Sequence, residues 1–380
     1  EYVSCCHAMG IKTSSFCIAT GQPALPVPYK NVLITTEQPE QKQNDAEQIK
    51  HLIMFLTQLC TSSDIERITL ITNPVHRIDG TEKPDKIASV LSAVLRAIQK
   101  EKSTLFCNIF ETDGSTSGTE FLSRLMKPEQ LQIAYRNGMY YTPAVSPKVF
   151  AALRQEQFSS GTYLVTAGTS IITQEICVRL AKHFPDSTFV FLSRSLADFD
   201  SAQNDRNEAD SRIADCCRRI CGGGGRVLVM QTDICNAEEV KALFARLKHT
   251  NITPDYLIHS ASGDLSYEYT ETDAARLSAV IDPKIKALIA IDNAAGSSFK
   301  GYLLFSSMAV SFMAPMQSAY IAANAFINAF CDEKCCEGKP AIALQWSTWK
   351  EIGMAARKGL NQDLIFKAMP TETALSYFDE

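Results

Sequence analysis

The chain has 380 residues, 46% of them apolar, enough for two globular domains with a core each rather than one. A net charge of −5 with no basic run argues against nucleic acid or an anionic membrane surface as partner, and no window reaches the ~18 uninterrupted apolar residues of a membrane span. Residues 1–20 lack a charged segment leading into an apolar stretch, so nothing marks secretion and a cytoplasmic location is expected. The 13 cysteines include the adjacent pairs Cys5-Cys6, Cys216-Cys217 and Cys335-Cys336, a spacing that suits neither a disulfide framework nor a zinc site. Free thiols and no metal are expected. The first residue is Glu1, which points to a piece of a longer polypeptide.

From the N-terminus, apolar runs at Phe16–Ala19, Val32–Thr35, Ile68–Ile71 and Leu105–Ile109 read as strands, with helices over 45–61 and 85–100, the second started by Pro84-Asp85. This half has neither a glycine turn nor clustered catalytic residue types. Residues 1–150 are therefore expected to form a truncated, Rossmann-like α/β domain with a structural role, and 151–380 a second domain, with the boundary near Pro147–Gly161. In that second half, strand-like runs alternate with helix-length segments: Tyr163–Val165, Thr188–Leu192, Val227–Met230, Tyr256–Ile258, Gly301–Phe305 and Ala341–Gln345. Each is short, rich in Val, Ile, Leu and Phe, and bounded by turn residues, as strands buried on both faces of a parallel sheet are. A doubly wound α/β sheet of Rossmann type follows. Residues 196–212 and the Gly222–Gly225 run read as a surface loop, a helix start and a turn.

The first strand of this half runs into Thr166-Ala167-Gly168-Thr169-Ser170-Ile171-Ile172-Thr173, where a dinucleotide-binding turn carries several glycines and this one carries Gly168 alone. Further on, Ser307 ends an apolar strand thirteen residues before Tyr320, and Asn324 follows Tyr320 by four. A Ser closing a buried strand and a Tyr opening a helix converge on the cleft outside the carboxyl ends of such a sheet. The spacing of four puts Tyr320 and Asn324 on one helix face. Lys284 stands on the preceding helix, with Lys286 two residues on and pointing elsewhere.

The pieces "GTYLVTAG", "FLSRS", "IHSAS", "DPKIKAL", "LLFSS", "SAYIAANAFINAF" and "QWSTWKEIGMA" occur in this order over about 161–355. Together they resemble the ketoreductase domains of modular polyketide and fatty acid synthases, of the short-chain dehydrogenase/reductase superfamily. More loosely, "LQIAYRNGMYYTPAV" resembles the segment that closes the structural subdomain ahead of the catalytic one. The resemblance implies NADPH-dependent reduction of a β-ketoacyl chain, carried on an acyl carrier protein, to the β-hydroxyacyl product, with neighbouring synthase domains in the same polypeptide. By it Tyr320 is the general acid, Lys284 the cation that eases proton release from a phenol of ordinary pKa ~10, Ser307 the hydrogen-bond donor to the carbonyl oxygen, and Asn324 the residue that holds a water or backbone group in the proton relay. Having Asn324 where the wider superfamily has its Lys, with Lys284 from an earlier helix, is the synthase-type arrangement. His259 is expected to be structural, its ring tied to backbone.

For the cofactor, the resemblance points to Thr166, Gly168, Thr169, Ser170 and Ile171 in the phosphate loop. It adds Ser193 and Arg194 at the 2′-phosphate, Asp233 and Ile234 at the adenine, Ser260 and Ala261 on the fourth strand, and Trp346, Ser347 and Thr348 beside the nicotinamide. The loop has Ala167, Ser170, Ile171 and Thr173 at glycine positions of the family, and Ser262 replaces a further glycine. Two readings follow: an active NADPH-dependent reductase, or a silent reductase kept as a structural piece of a synthase and unable to hold cofactor. The markers of hydroxyl configuration are not intact, since Asp264 is shifted from the acidic signature and Phe312 stands where the alternative signature has Trp. Residues 354–366 are expected to form a lid.

Overall fold

A computed structural model describes residues 30–36, 45–80, 82–114, 131–146, 158–194, 208–263, 266–359 and 367–380. The expected strand Phe16–Ala19, residues 147–157 of the boundary segment, Asp264 and residues 360–366 of the expected lid lie outside them. The chain forms two compact units. One comprises Glu1–Lys148, Ser266–Arg276 and Met313–Ala329; the other comprises Val149–Leu265, Leu277–Phe312 and Phe330–Glu380.

In the first unit, β1 (Asn31–Thr35), α1 (Asp45–Thr61), β2 (Arg67–Thr72), α2 (Lys86–Glu101) and β3 (Phe106–Thr112) alternate, followed by β4 (Gln132–Arg136) and β5 (Met139–Tyr141). The strands lie in the order β1-β2-β3-β4-β5, parallel as far as β4, with β5 antiparallel. Asp85 caps α2 by accepting the Ala88 N–H, as its place before the apolar run predicts. The β4–β5 hairpin is absent from the sequence reading; it turns through Asn137-Gly138, both at positive φ, the dipeptide that two-residue hairpins favour.

A buried ionic cluster joins these strands. Glu111 of β3 accepts the backbone N–H groups of Val75 and His76, and Arg136 of β4 donates to both Glu111 (3.2 Å) and Glu82 (3.0 Å). Burial raises the Glu111 pKa, but His76 and these N–H donors outweigh it and hold the carboxyl below its usual range.

In the second unit, β6 (Thr162–Val165), α3 (Ile171–His183), β7 (Thr188–Ser193), α4 (Glu208–Gly222), β8 (Arg226–Gln231), α5 (Ala237–His249) and β9 (Tyr256–His259) come first. Next are α6 (Ala274–Ile281), a π turn (Asp282–Lys286), α7 (Ala287–Ala295), β10 (Gly301–Ser307), α8 (Ala309–Phe312), α9 (Ser318–Cys336) and β11 (Ala341–Trp346). The short α10 (Met354–Arg357) and α11 (Thr371–Asp379) close the chain; of these elements, α9 and α6 begin within the first unit's segments. The sheet runs β11-β10-β9-β6-β7-β8, all parallel.

Tyr163, Leu164 and Val165 of β6 and Phe189, Val190 and Phe191 of β7 are wholly buried, which is why these strands are apolar without alternation. Strand order reverses between β6 and β9. In such sheets the cleft beyond the carboxyl ends at that point is where ligands bind.

Candidate active site

The loop leaving β6 holds its shape without the missing glycines. Ala167 adopts the left-handed backbone at φ 49°, and Ser170 N–H closes the turn onto the Ala167 carbonyl at 2.8 Å. Gly168 stays glycine for a packing reason: a Cβ there would stand 2.8 Å from Cβ of Phe191 on β7. Gln174 donates to the Gly168 carbonyl from inside α3. The helix starts at Ile171, within the stretch Thr166–Thr173 that reads as a turn in the sequence. The reason is that Ser170, extended at ψ 126°, occupies the cap position, and Thr173 turns inward to bond Ser260 Oγ at 2.7 Å.

Polar side chains tie the ends of β6 and β9 together. Thr166, wholly buried, bonds the His259 ring at Nδ1 (3.1 Å) and accepts N–H groups of Ser260 and Ala261 at 3.1 and 3.3 Å. Ser260 donates its hydroxyl proton back to the Thr166 carbonyl at 2.8 Å. Ser262 donates to the Gly263 carbonyl. Ser193 ends β7 and the exposed Arg194 follows it, and Ile234 is half-buried. The Asp233 carboxylate accepts the Cys235 N–H at the turn before α5.

Lys284 is 2% exposed and lies within the π turn, where Ala287 N–H reaches back to the Asp282 carbonyl, rather than in the regular helix the sequence suggests. Pro283, which lacks an N–H, sits at the head of that turn. The Lys284 ammonium donates to the Phe305 carbonyl of β10 at 2.7 Å, two residues before Ser307. Burial pushes the amine down to about 7. Ser307 is half-buried and its Oγ accepts the Ala309 N–H at 3.1 Å. In register with Ser307 on β11 is Trp346, whose indole packs edge-on to Trp349. Ser347 is half-buried and Thr348 exposed just beyond β11.

On α9, Tyr320 is half-buried and Asn324 wholly buried. They share a face, and Asn324 Nδ2 donates to the Tyr320 carbonyl at 2.9 Å.

A cleft of about 350 Å³ opens beside the loop, lined by Thr169, Ile171, Ile352 and the cations Arg212, Lys350 and Arg357. With the N-terminal end of α3 at its edge, it suits an anionic group. Gly353 on its wall has φ 96°, and a Cβ there would come within 2.6 Å of Ile172 Cδ1. Lys350 lies in the "QWSTWKEIGMA" piece and Arg357 in the expected lid, but nothing in the sequence shows that they and Arg212 converge beside the loop. Nor does the sequence show Thr166 as a hub, since its role shows only once β6 and β9 pair.

An all-parallel sheet in this order, with a dinucleotide-type loop at its switch point, defines a Rossmann-like protein of the short-chain dehydrogenase/reductase type. The pattern of the KR domain family matches residues 161–351, just over half of the chain, and the chain belongs to that ketoreductase family of polyketide synthases, an oxidoreductase class. Similar sequences include "Chalcone synthase cfoA" of Aspergillus candidus, 23% identical over 79% of this chain and 11% of its own length. Another is "Spectinabilin polyketide synthase system protein NorA'" of Streptomyces orinoci, 25% identical over 75% of this chain and 8% of its own. The chain thus spans about a tenth of these relatives. Among solved structures, the first ketoreductase of the tylosin PKS superposes with a TM-score of 0.76 at 18% identity, covering 99% of this chain and 83% of that one. A ketoreductase domain from the bacillaene assembly line gives 0.72 at 19% identity, covering 94% and 91%. No helix among the described residues is long and apolar enough to cross a membrane.

Proposed function

We propose that this chain reduces a β-ketoacyl group, carried on the phosphopantetheine arm of an acyl carrier protein, to the β-hydroxyacyl product, with NADPH as reductant and neighbouring polyketide synthase domains supplying and removing the acyl chain. The observation that carries the reading is Lys284: a buried amine held on the strand that ends in Ser307, where a structural domain has no use for an unneutralised cation. The residues beside the loop fit a dinucleotide, because the cleft next to Thr169 and Ile171 is open and lined by three cations against the single acid Glu351. Arg194 suits the 2′-phosphate. By the family resemblance, Ser193, Asp233, Ile234, Ser260, Ala261, Trp346 and Ser347 would meet the rest of the cofactor.

NADPH, when bound, supplies hydride to the ketone carbon. Tyr320 gives its phenolic proton to the ketone oxygen, and Ser307 donates a hydrogen bond to that oxygen as charge develops on it. Lys284, in its protonated form, stabilises the forming phenolate by Coulomb attraction. Asn324 holds the α9 backbone at Tyr320. Residues 1–150 serve as the structural domain, and 151–380 carry the chemistry.

Cβ atoms at Ala167, Ser170, Ile171 and Thr173, where the family's pattern has glycine, favour a second reading, a silent structural domain. Titrating the chain with NADPH while following nicotinamide fluorescence separates the two. Saturable binding below about 100 μM supports the reductase, whereas no binding in the high micromolar range leaves the silent domain.

A further inference from the structure

The His259 ring makes two hydrogen bonds, and the partners fix which nitrogen carries the proton. Nε2 lies 2.9 Å from the Lys284 carbonyl, which can only accept, so Nε2 is the N–H. Nδ1 then has a lone pair facing Thr166 Oγ1 at 3.1 Å. The hydroxyl inventory agrees: Thr166 Oγ1 accepts from Ser260 N and Ala261 N with its two lone pairs, leaving its one proton for Nδ1. Every bonding position of both groups is used, and the ring is wholly buried. Burial, then the Lys284 charge, push the imidazole down to about 3, so it stays neutral in this role.

The other end of this chain of bonds is a backbone irregularity. A π turn disturbs the regular pairing of carbonyls along a helix and recurs at functional sites. Here the disturbed segment, Asp282–Lys286, presents the Lys284 carbonyl to His259 while the Lys284 ammonium is held by Phe305. The lysine is gripped at both ends, by β9 through its backbone and by β10 through its side chain.

We propose that His259 is a positioning residue that sets the Lys284 ammonium by holding the carbonyl of the π turn, and that it couples this lysine through Thr166 to the loop where the dinucleotide phosphates bind. The proposal rests on the reductase reading for its catalytic consequence but not for its structural one. His259 touches neither the substrate nor the reacting atoms.

Two near-isosteric substitutions divide the ring's bonds. His259→Gln keeps a donor at the place of Nε2, and His259→Asn keeps a polar group only at the place of Nδ1. The test compares both with the unsubstituted 380-residue chain, with acetoacetyl N-acetylcysteamine thioester as substrate. Measurements are kcat, NADPH Kd by nicotinamide fluorescence, and the Lys284 side-chain resonances in 13C-lysine-labelled protein. His259→Asn is expected to lower kcat on the order of 10–100-fold, the cost of a small misplacement at a reacting centre, with the NADPH Kd changed less than about threefold. His259→Gln is expected to restore kcat to within about fivefold of the original. The Lys284 resonances should move in the Asn variant and return in the Gln variant, and 15N spectra should show the Nε2–H tautomer.

Equal loss of kcat, NADPH affinity and unfolding midpoint in both variants assigns His259 a merely structural role and overturns the proposal. So does an Nδ1–H tautomer. If the unsubstituted chain turns over no thioester, the reductase reading fails, and the Lys284 resonances alone then decide the positioning: unchanged in the Asn variant, they refute it.

Discussion

Adjacent positions in the loop after β6 should respond oppositely to exchanging Gly and Ala. Gly168→Ala places a Cβ 2.8 Å from Cβ and 2.9 Å from Cγ of Phe191, a wholly buried residue on β7 that cannot swing away. Overpacking of this kind costs about 1–3 kcal/mol, or roughly 2–12 °C of midpoint for a unit of this size. At Ala167 the backbone already sits at φ 49°, where an L-residue costs about 1–2 kcal/mol and glycine almost nothing. Ala167→Gly relieves that strain and gives back about 0.4–1 kcal/mol through the freer unfolded chain, leaving a net gain of roughly 0.5–1 kcal/mol. Both tryptophans, Trp346 and Trp349, lie in the second unit, so their fluorescence in urea reports the unit that carries the loop. The reasoning is refuted if Gly168→Ala changes stability by less than about 0.5 kcal/mol, or if both substitutions shift it in one direction.

Three further outcomes are expected. The Lys284 amine titrates near 7 when folded and at its ordinary 10.5 when unfolded, so between these values only the unfolded state holds the proton and stability climbs as pH rises. Lys284→Met should raise stability at pH 7 and flatten that climb in urea denaturation, while lowering reductase turnover at least ~100-fold. Arg136→Ala removes the buried guanidinium shared by Glu111 and Glu82 and should destabilise the first unit by about 3–5 kcal/mol. Far-UV dichroism would show this as an early transition that the tryptophan signal lacks. Arg194→Ala should weaken NADPH roughly 10–100-fold and leave NADH unchanged, measured by fluorescence titration, as loss of a charge-assisted hydrogen bond requires.

What was legible in the sequence divides along physical lines. The inner strands of the second sheet, β6, β7, β9 and β10, stood out because they are buried on both faces, so their apolar runs are continuous and need no partner to be recognised. The β4–β5 hairpin escaped although Asn137-Gly138 marks it, because Met139–Tyr141 is too short to show alternation. Lys284, Ser307, Tyr320 and Asn324 were singled out by order and spacing through the family resemblance. The π turn under Lys284 was not, since Pro283 signals only that a helix is disturbed and not how its carbonyls are shared. The loop gave the opposite case: its missing glycines were plain in the sequence, while the ability of Ala167 to take glycine's conformation was visible only in the backbone.

The contact of Gly353 with Ile172 bears on how such domains can be recombined. A Cβ at 353 would press on the Ile172 Cδ1 methyl, which would have to turn aside, and the positive φ at 353 disfavours a side chain in any case. The segment after β11 and the first turn of α3 therefore form a matched pair, although they are far apart in sequence. A chimaera that grafts residues 350–357 from another ketoreductase and brings a side chain at 353 is best made with residue 172 exchanged alongside, so that a packing fault is not read as a change of specificity.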